Sequence, residues 1–131
     1  MRNNDLQKEK VRDLLAAYER VKSVQGVNFK YLNQMDIANL IAEMPAPRFY
    51  INEDWAYQLV RLYRNGKISG KDKEIAEDLV SHYDRLKMQY PREKVRCLCI
   101  LAVLCPAKSF YTSAARIKDI IFFEQFHKHG K

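Results

Sequence analysis

The chain has 131 residues, of which 47% are hydrophobic and 30% are charged, and it contains 4 glycines and 4 prolines. This length predicts one domain, residues 1–131, that can bury a core without disulfides or a metal. The composition predicts a compact helical protein and excludes a disordered tail. No apolar run reaches the roughly 18 residues that a membrane helix needs. Because the N-terminus also lacks the pattern of a secretory signal, we expect a cytoplasmic protein with no membrane partner.

The net charge of +7 is concentrated near the end of the chain, since residues 92–131 contain 8 basic and 3 acidic side chains. A basic excess in one region favours a polyanionic partner. Three cysteines, Cys97, Cys99 and Cys105, lie within one apolar segment. An odd number of closely spaced cysteines is not typical of a disulfide framework, so we expect reduced thiols in the core.

Apolar residues at spacings of three and four positions predict about six helices. Helix starts are indicated by residues that cap well, Asn33, Asn52 and Ser113, and stops by glycine or proline. The first helix begins near Asn4 and ends at Gly26. The predicted helices lie approximately at residues 4–25, 33–44, 52–65, 72–89, 91–105 and 113–124.

The segment Val95–Cys105 is apolar nearly all round, which predicts a buried helix at the centre of the fold. If this helix begins at Pro91, then Arg92, Lys94 and Arg96 lie in its first turn. Cations there oppose the helix dipole, so folding does not require them and a binding role is indicated. The alternative is a solvated face that neighbouring acids partly neutralise.

One short motif occurs twice in the chain. The stretch Pro45-Ala-Pro-Arg-Phe-Tyr-Ile-Asn52 returns 61 residues later as Pro106-Ala-Lys-Ser-Phe-Tyr-Thr-Ser113. Each copy joins two predicted helices. We therefore predict an all-α fold in which two pseudo-repeated helix-link-helix units, residues about 33–64 and 91–123, form one compact bundle.

Each copy of the motif contains a Phe-Tyr pair in a predicted extended link, where adjacent side chains point in opposite directions. In one interpretation Phe49 and Phe110 fill the core, while Tyr50 and Tyr111 form hydrogen bonds at its boundary. In the other, exposed aromatic residues of the links bind a partner.

The basic residues lead to the predicted function, a non-catalytic accessory protein that binds DNA or RNA. A helix-turn-helix-like arrangement is one possible form, although the link of seven residues exceeds the usual three or four. Phosphate contacts are expected from a basic C-terminal surface and from a second, smaller surface. The first comprises Arg92, Lys94, Arg96, Lys108, Arg116 and Lys118, and the second comprises Arg48, Arg61 and Arg64.

The alternative function is a protein-interaction or oligomeric assembly module. Its contacts would come from exposed aromatic residues, since Tyr and Arg are enriched at protein interfaces. Motifs of known catalytic or phosphate-binding sites are absent, so we predict no enzyme activity, no cofactor and no metal site. The aromatic residues considered are Tyr50, Trp55, Tyr57 and Tyr63.

The stretch Pro45–Tyr50 resembles a motif in small uncharacterised proteins of bacterial prophages and mobile elements, several of which carry a second, weaker copy downstream. The resemblance covers the motif and its flanking helices, residues about 33–64 and 91–123. It implies participation in nucleic-acid transactions, and it supplies no functional residues.

Overall fold

The computed structural model of the chain describes residues 3–129, with side chains from residue 4 to residue 124. Within that part the chain forms six α-helices, one 3-10 helix at Gly26–Tyr31 and no strand. The predicted all-α class with about six helices is confirmed. The α-helices are α1 (Asn3–Gln25), α2 (Gln34–Ala42), α3 (Glu53–Arg64), α4 (Gly70–Gln89), α5 (Val95–Val103) and α6 (Ala114–His129).

Side-chain caps fix where three of the helices begin. At α2, the Asn33 side chain accepts a hydrogen bond from the backbone N–H of Asp36, whose carboxylate accepts one from the N–H of Asn33. Asn52 and Ser113 each accept from the N–H three residues further on, at 2.8 and 3.2 Å. These bonds satisfy N–H groups that have no partner inside a helix. The three predicted N-caps are thus confirmed.

The helices form two compact units. The central unit comprises Pro45–Lys108 with the N-terminal residues up to Leu6, and in it α3, α4 and α5 pack against one another. The terminal unit comprises Gln7–Met44 with the residues from Ser109 onward. Here α2 packs against α6, and the Tyr18 ring of α1 meets a phenylalanine ring of α6 edge to face.

Aliphatic side chains at helical spacing form the interior of both units. The two phenylalanines of the repeated motif are also interior, since Phe49 and Phe110 are each 3% exposed. The neighbouring Tyr50 and Tyr111 are half-buried. Buried side chains include Leu59, Val60, Leu79, Tyr83, Leu98 and Ala102 in the central unit, and Leu14, Ala17, Ile37, Ile41, Ile117 and Ile121 in the terminal unit.

The alanines of the two motif copies pair with each other within the central unit. The N–H of Ala46 donates to the carbonyl of Ala107 at 3.0 Å, and the reverse bond is 2.9 Å long. The N–H of Phe49 then donates to the carbonyl of Val103, the last residue of α5, at 2.9 Å. These bonds satisfy backbone groups that lie outside any helix.

The predicted start of α5 is wrong. The residues before the helix form a turn, in which the N–H of Glu93 donates to the carbonyl of Tyr90 at 3.1 Å. Helix α5 therefore begins at Val95, with Lys94 in the N-cap position and Arg92 before it. Of the three cations that we expected in the first turn, only Arg96 lies inside the helix.

The prediction that α5 is buried on several sides is wrong, since only its inner face is buried. Its inner side chains, such as Leu98 and Cys99, are buried, but Ile100 and Leu101 are each 40% exposed and Leu104 is 54% exposed. The apolar composition of the segment was therefore a poor guide to its position. Helix α5 has an inner face in the central unit and an outer apolar face open to solvent.

Smaller differences concern a connector and the cysteines. The predicted connector after α1 is a 3-10 helix, which begins at Gly26 with φ of +56°, a value that glycine adopts readily. All three cysteines are free, but only Cys99 is buried, while Cys105 is half-buried and Cys97 is exposed. Burial raises the pKa of the Cys99 thiol.

Candidate nucleic-acid interface

Seven of the nine basic residues that we predicted to contact nucleic acid lie in the central unit, and two lie in the terminal unit. Some of the seven surround one aromatic ring, whereas others have partners inside the unit. The central unit contains Arg48, Arg61, Arg64, Arg92, Lys94, Arg96 and Lys108, and the terminal unit contains Arg116 and Lys118.

Tyr57 of α3 is the aromatic ring at which two helices bring their cations together. The guanidinium carbon of Arg61, one turn further along α3, lies 5.6 Å from the ring centroid. The guanidinium carbon of Arg96, on α5, lies 5.5 Å from the same centroid. Cations at this distance are attracted by the negative face of the ring. We call these three residues the Tyr57 cluster.

Arg96 is also held by a carboxylate of α3. Its Nη1 donates to Oδ1 of Asp54 at 2.7 Å, and the two side chains are largely exposed. This hydrogen bond, together with the negative charge of Asp54, raises the pKa of Arg96. Ion pairs in contact with water are weak and are screened by salt. The guanidinium of Arg96 can therefore exchange this carboxylate for a phosphate at small cost.

Arg92 and Lys94 are two further cations of the central unit, located just before α5. Both side chains are exposed, and neither forms an ion pair with any residue that the structure describes. Their charges are therefore available to a ligand. Together with Arg61 on α3 and Arg96 on α5, the central unit has four candidate cations on these helices and just before α5.

Two other predicted cations already have partners within the central unit. Arg64 pairs with Asp84 of α4 and lies over the Tyr83 ring, 5.6 Å from its centroid. Arg48 is 8% exposed, and its Nε donates to the carbonyl of Phe49 at 2.9 Å. Because the Arg48 side chain is buried, we leave it out of the candidate interface.

The backbone of Lys108 is hydrogen-bonded to a buried carboxylate, that of Asp78, which was not predicted from the sequence. The side chain of Lys108 is exposed, but its backbone N–H donates to Oδ2 of Asp78 at 2.8 Å, and Asp78 is 2% exposed. The other oxygen of Asp78 lies 3.6 Å from Nε2 of His82, whose ring meets that of Phe49 edge to face. The sequence did contain a signal for such an acceptor. Pro47 in the first motif copy has no N–H, whereas Lys108, at the corresponding position of the second copy, has an N–H that needs a hydrogen-bond acceptor.

The two basic residues of the terminal unit are less suited to phosphate binding. Arg116 is exposed and lines a groove of about 600 Å³ beside α1, but Asp119 and Glu124 line the same groove. Lys118 is half-buried. We therefore treat these two residues separately from the cations of the central unit.

The aromatic residues considered for assembly do not form a widely exposed patch. Trp55 is 37% exposed, whereas Tyr50, Tyr57 and Tyr63 are half-buried. On the outer face of α5, by contrast, Ile100, Leu101 and Leu104 are each at least 40% exposed. Sequence reasoning missed this face because it took the whole helix as core.

In the part of the chain that the structure describes, no group of three His, Cys, Asp or Glu side chains is placed to hold a metal ion. No helix of the described residues combines the length and the apolar character that crossing a bilayer requires. Comparisons of the chain with models of protein families, with curated proteins and with solved structures give no match.

Proposed function

We propose that the chain is a non-catalytic accessory protein that binds nucleic acid through the central unit. The observation that carries this proposal is the Tyr57 cluster, in which α3 and α5 place two guanidinium groups against one tyrosine ring. Arg92 and Lys94 add two exposed cations just before α5. The proposed contacts are phosphates for the cations and a base or sugar for the aromatic ring.

Physical chemistry favours a polyanion at this surface over a small acidic ligand. Neutralising phosphates with Lys and Arg releases condensed counterions, so each contact adds to affinity without requiring an enclosed pocket. An aromatic ring beside arginines can also stack on an unpaired base, whichever base it is. We therefore expect single strands to bind at least as tightly as duplexes, with little sequence preference.

The resemblance of the Pro45–Tyr50 motif to proteins of prophages and mobile elements supports this proposal, because small basic proteins in such elements commonly act on nucleic acid. Under the same proposal the chain works in the cytoplasm and consists of two repeated helix-link-helix units. A groove-reading helix is not part of it. In the structure α2 packs against α6, whereas α3 packs against α4 and α5.

The proposal is tested by fluorescence-anisotropy titration with four labelled probes of about 20 nucleotides, namely DNA and RNA, each single-stranded and double-stranded. The titrations are repeated between roughly 50 and 200 mM salt. Affinity should fall linearly with salt in a log–log plot, and the slope gives the number of phosphates neutralised. An affinity for all four probes that does not change with salt, or no binding at low salt, would contradict the proposal.

Two variants localise the binding. Arg61→Glu should weaken binding and should reduce the slope of log affinity against log salt concentration by about one or two. Tyr57→Leu should weaken single-strand binding by roughly tenfold, since stacking contributes about 1–3 kcal/mol per base. Lys22→Glu is the matched control, because Lys22 is exposed on α1 of the terminal unit and the change in net charge is the same. Equal losses in Arg61→Glu and Lys22→Glu would mean that only net charge matters.

The protein-interaction function remains a second candidate, and one observation favours it. The outer face of α5 is apolar and exposed, which is uncommon for a helix of a soluble protein unless a partner covers it.

A further inference from the structure

The outer face of α5 carries four side chains in the pattern of a helix-binding surface. Cys97, Ile100, Leu101 and Leu104 follow one another at i, i+3, i+4 and i+7, so they lie within about 100° of the helix circumference. All four are exposed, and Leu104, the C-cap residue of α5, is 54% exposed. A stripe with this spacing matches the apolar stripe of a second helix laid alongside it.

The fold does not require apolar residues at these positions. Helix α2 has the same length as α5 and begins 61 residues earlier. At that offset α2 has Asp36, Asn39 and Glu43 in place of Cys97, Ile100 and Leu104, while Leu40 matches Leu101. The outer face of a helix in this chain can therefore be polar, and the apolar face of α5 calls for an explanation outside the core.

Cations border the apolar stripe along its length. On the helix circumference Arg96, which also pairs with Asp54 of α3, lies beside Ile100. Lys94, the N-cap residue of α5, precedes the first turn on the other side of the stripe, that of Leu101. Near the C-terminal end of α5, Nη2 of Arg85 lies 3.5 Å from Sγ of Cys105, the residue that follows Leu104. Between residues 85 and 108 the chain has six basic residues and one acidic residue.

This charge pattern indicates which kind of partner fits the outer face of α5. A second copy of the chain would bring the same cations against those of the first, and like charges that meet across an interface oppose association. Carboxylates on both sides of an apolar stripe would instead meet Arg96 on one edge and Lys94 or Arg85 on the other.

We infer that the outer face of α5 binds an amphipathic helix of a partner protein, with apolar side chains on the stripe and acidic residues on both of its flanks. The partner's leucine-like side chains pack between Ile100, Leu101 and Leu104. This binding goes beyond the proposed nucleic-acid function. It uses a neighbouring surface of α5 that shares Arg96 with the Tyr57 cluster.

The test uses three fluorescein-labelled synthetic peptides on the full-length protein. The first is a helical peptide with Leu at i, i+3, i+4 and i+7 and Glu on both flanks. The second replaces each Glu with Lys, and the third replaces each Leu with Ser. We expect saturable binding of the first peptide only, measured by anisotropy, because both the apolar stripe and the acidic flanks are needed.

The double variant Ile100→Asn with Leu104→Gln tests the site without changing net charge. It should bind the acidic peptide at least about tenfold more weakly, since two apolar contacts of the interface are lost. Val27→Asn is the control, because Val27 is 80% exposed and belongs to the terminal unit. Circular dichroism and urea unfolding of both variants verify that the fold is retained.

Several outcomes would overturn the inference. These are no binding of the acidic peptide at low salt, equal binding of the Glu and Lys peptides, or unchanged affinity in the double variant. Light scattering that finds a dimer, which the double variant dissociates, would assign the face to a second copy instead. Nucleic-acid affinity of the double variant should equal that of the parent protein, while Arg61→Glu should retain peptide binding, so the two proposals fail separately.

Discussion

Helices α2 and α5 are the clearest comparison that the molecule offers. Both have nine residues and start 61 residues apart. Their buried positions correspond, since Ile37 and Ile41 match Leu98 and Ala102. Three of their four outer positions do not, because they are polar in α2 and apolar in α5, whereas Leu40 matches Leu101. The comparison teaches that packing constrains the inner face of such a helix, whereas the outer face is free to serve another purpose.

The two motif copies, which follow α2 and α5, are likewise similar in their buried residues and different at one position. Both place a phenylalanine in the interior and pair through Ala46 and Ala107. They differ at the next position, where Pro47 needs no hydrogen-bond acceptor and Lys108 donates to Asp78. The following four predictions test how far the two copies are equivalent, beginning with the largest expected effect.

Phe49→Ala and Phe110→Ala should each lower the free energy of unfolding by about 3–5 kcal/mol, because a fully buried ring is replaced by a cavity. Urea denaturation monitored by circular dichroism measures the loss. Phe123→Ala is the control, since Phe123 is 60% exposed and its removal should cost little. A loss below about 1 kcal/mol at one phenylalanine would show that the two links are not equivalent.

Asp78→Leu should destabilise the protein by about 1–3 kcal/mol, because it leaves the N–H of Lys108 without its acceptor. Asp78→Asn keeps an oxygen that can accept this bond and should cost less. The measurement is again urea denaturation. Equal stability of the Leu variant and the parent protein would mean that the hydrogen bond to the second link contributes nothing.

Asn52→Ala and Ser113→Ala remove the N-caps of α3 and α6, and each should cost about 1 kcal/mol. Thermal denaturation followed at 222 nm gives the shift in Tm. Ser23→Ala, at an exposed position inside α1, is the matched control and should be neutral or slightly stabilising. A lower Tm in only one of the two variants would show that the two caps are not equivalent.

Exchanging the outer faces should have the smallest effect on stability. Ile100→Asn with Leu104→Gln on α5, and Asn39→Ile with Glu43→Leu on α2, should each change the free energy of unfolding by less than about 0.5 kcal/mol, since surface substitutions are usually tolerated. Leu98→Ala, on the inner face of α5, should cost about 2–5 kcal/mol in the same denaturation experiment. A large loss in the α5 exchange would indicate that its outer face is part of the core.

Local signals made most helix boundaries predictable. Asn33, Asn52 and Ser113 act on N–H groups a few residues away, so their role can be read from neighbouring positions. The exposure of α5 was not predictable in this way. Apolar composition indicates that a helix is covered, but it does not distinguish cover by the same chain from cover by a partner.

The candidate site was predictable only in part, because it depends on contacts between distant residues. The basic character around Arg92 and Arg96 was visible in the sequence, but the approach of Arg96 to Tyr57 requires α3 to pack against α5. Asp78 resembled an ordinary surface acid, since its partner Lys108 lies 30 residues away. Arg48 resembled a surface cation, although it is buried.

The division of the chain into two units has a consequence for folding during synthesis. Apart from its N-terminal residues, the central unit is continuous, so all of its helices have been synthesised once the ribosome has passed Lys108. The terminal unit joins residues 7–44 to the residues from Ser109 onward, and α2 has to wait for α6. At roughly 5–20 residues per second that wait lasts several seconds. During it the inner face of α2, including Ile37 and Ile41, lacks its cover and is open to chaperones or to aggregation.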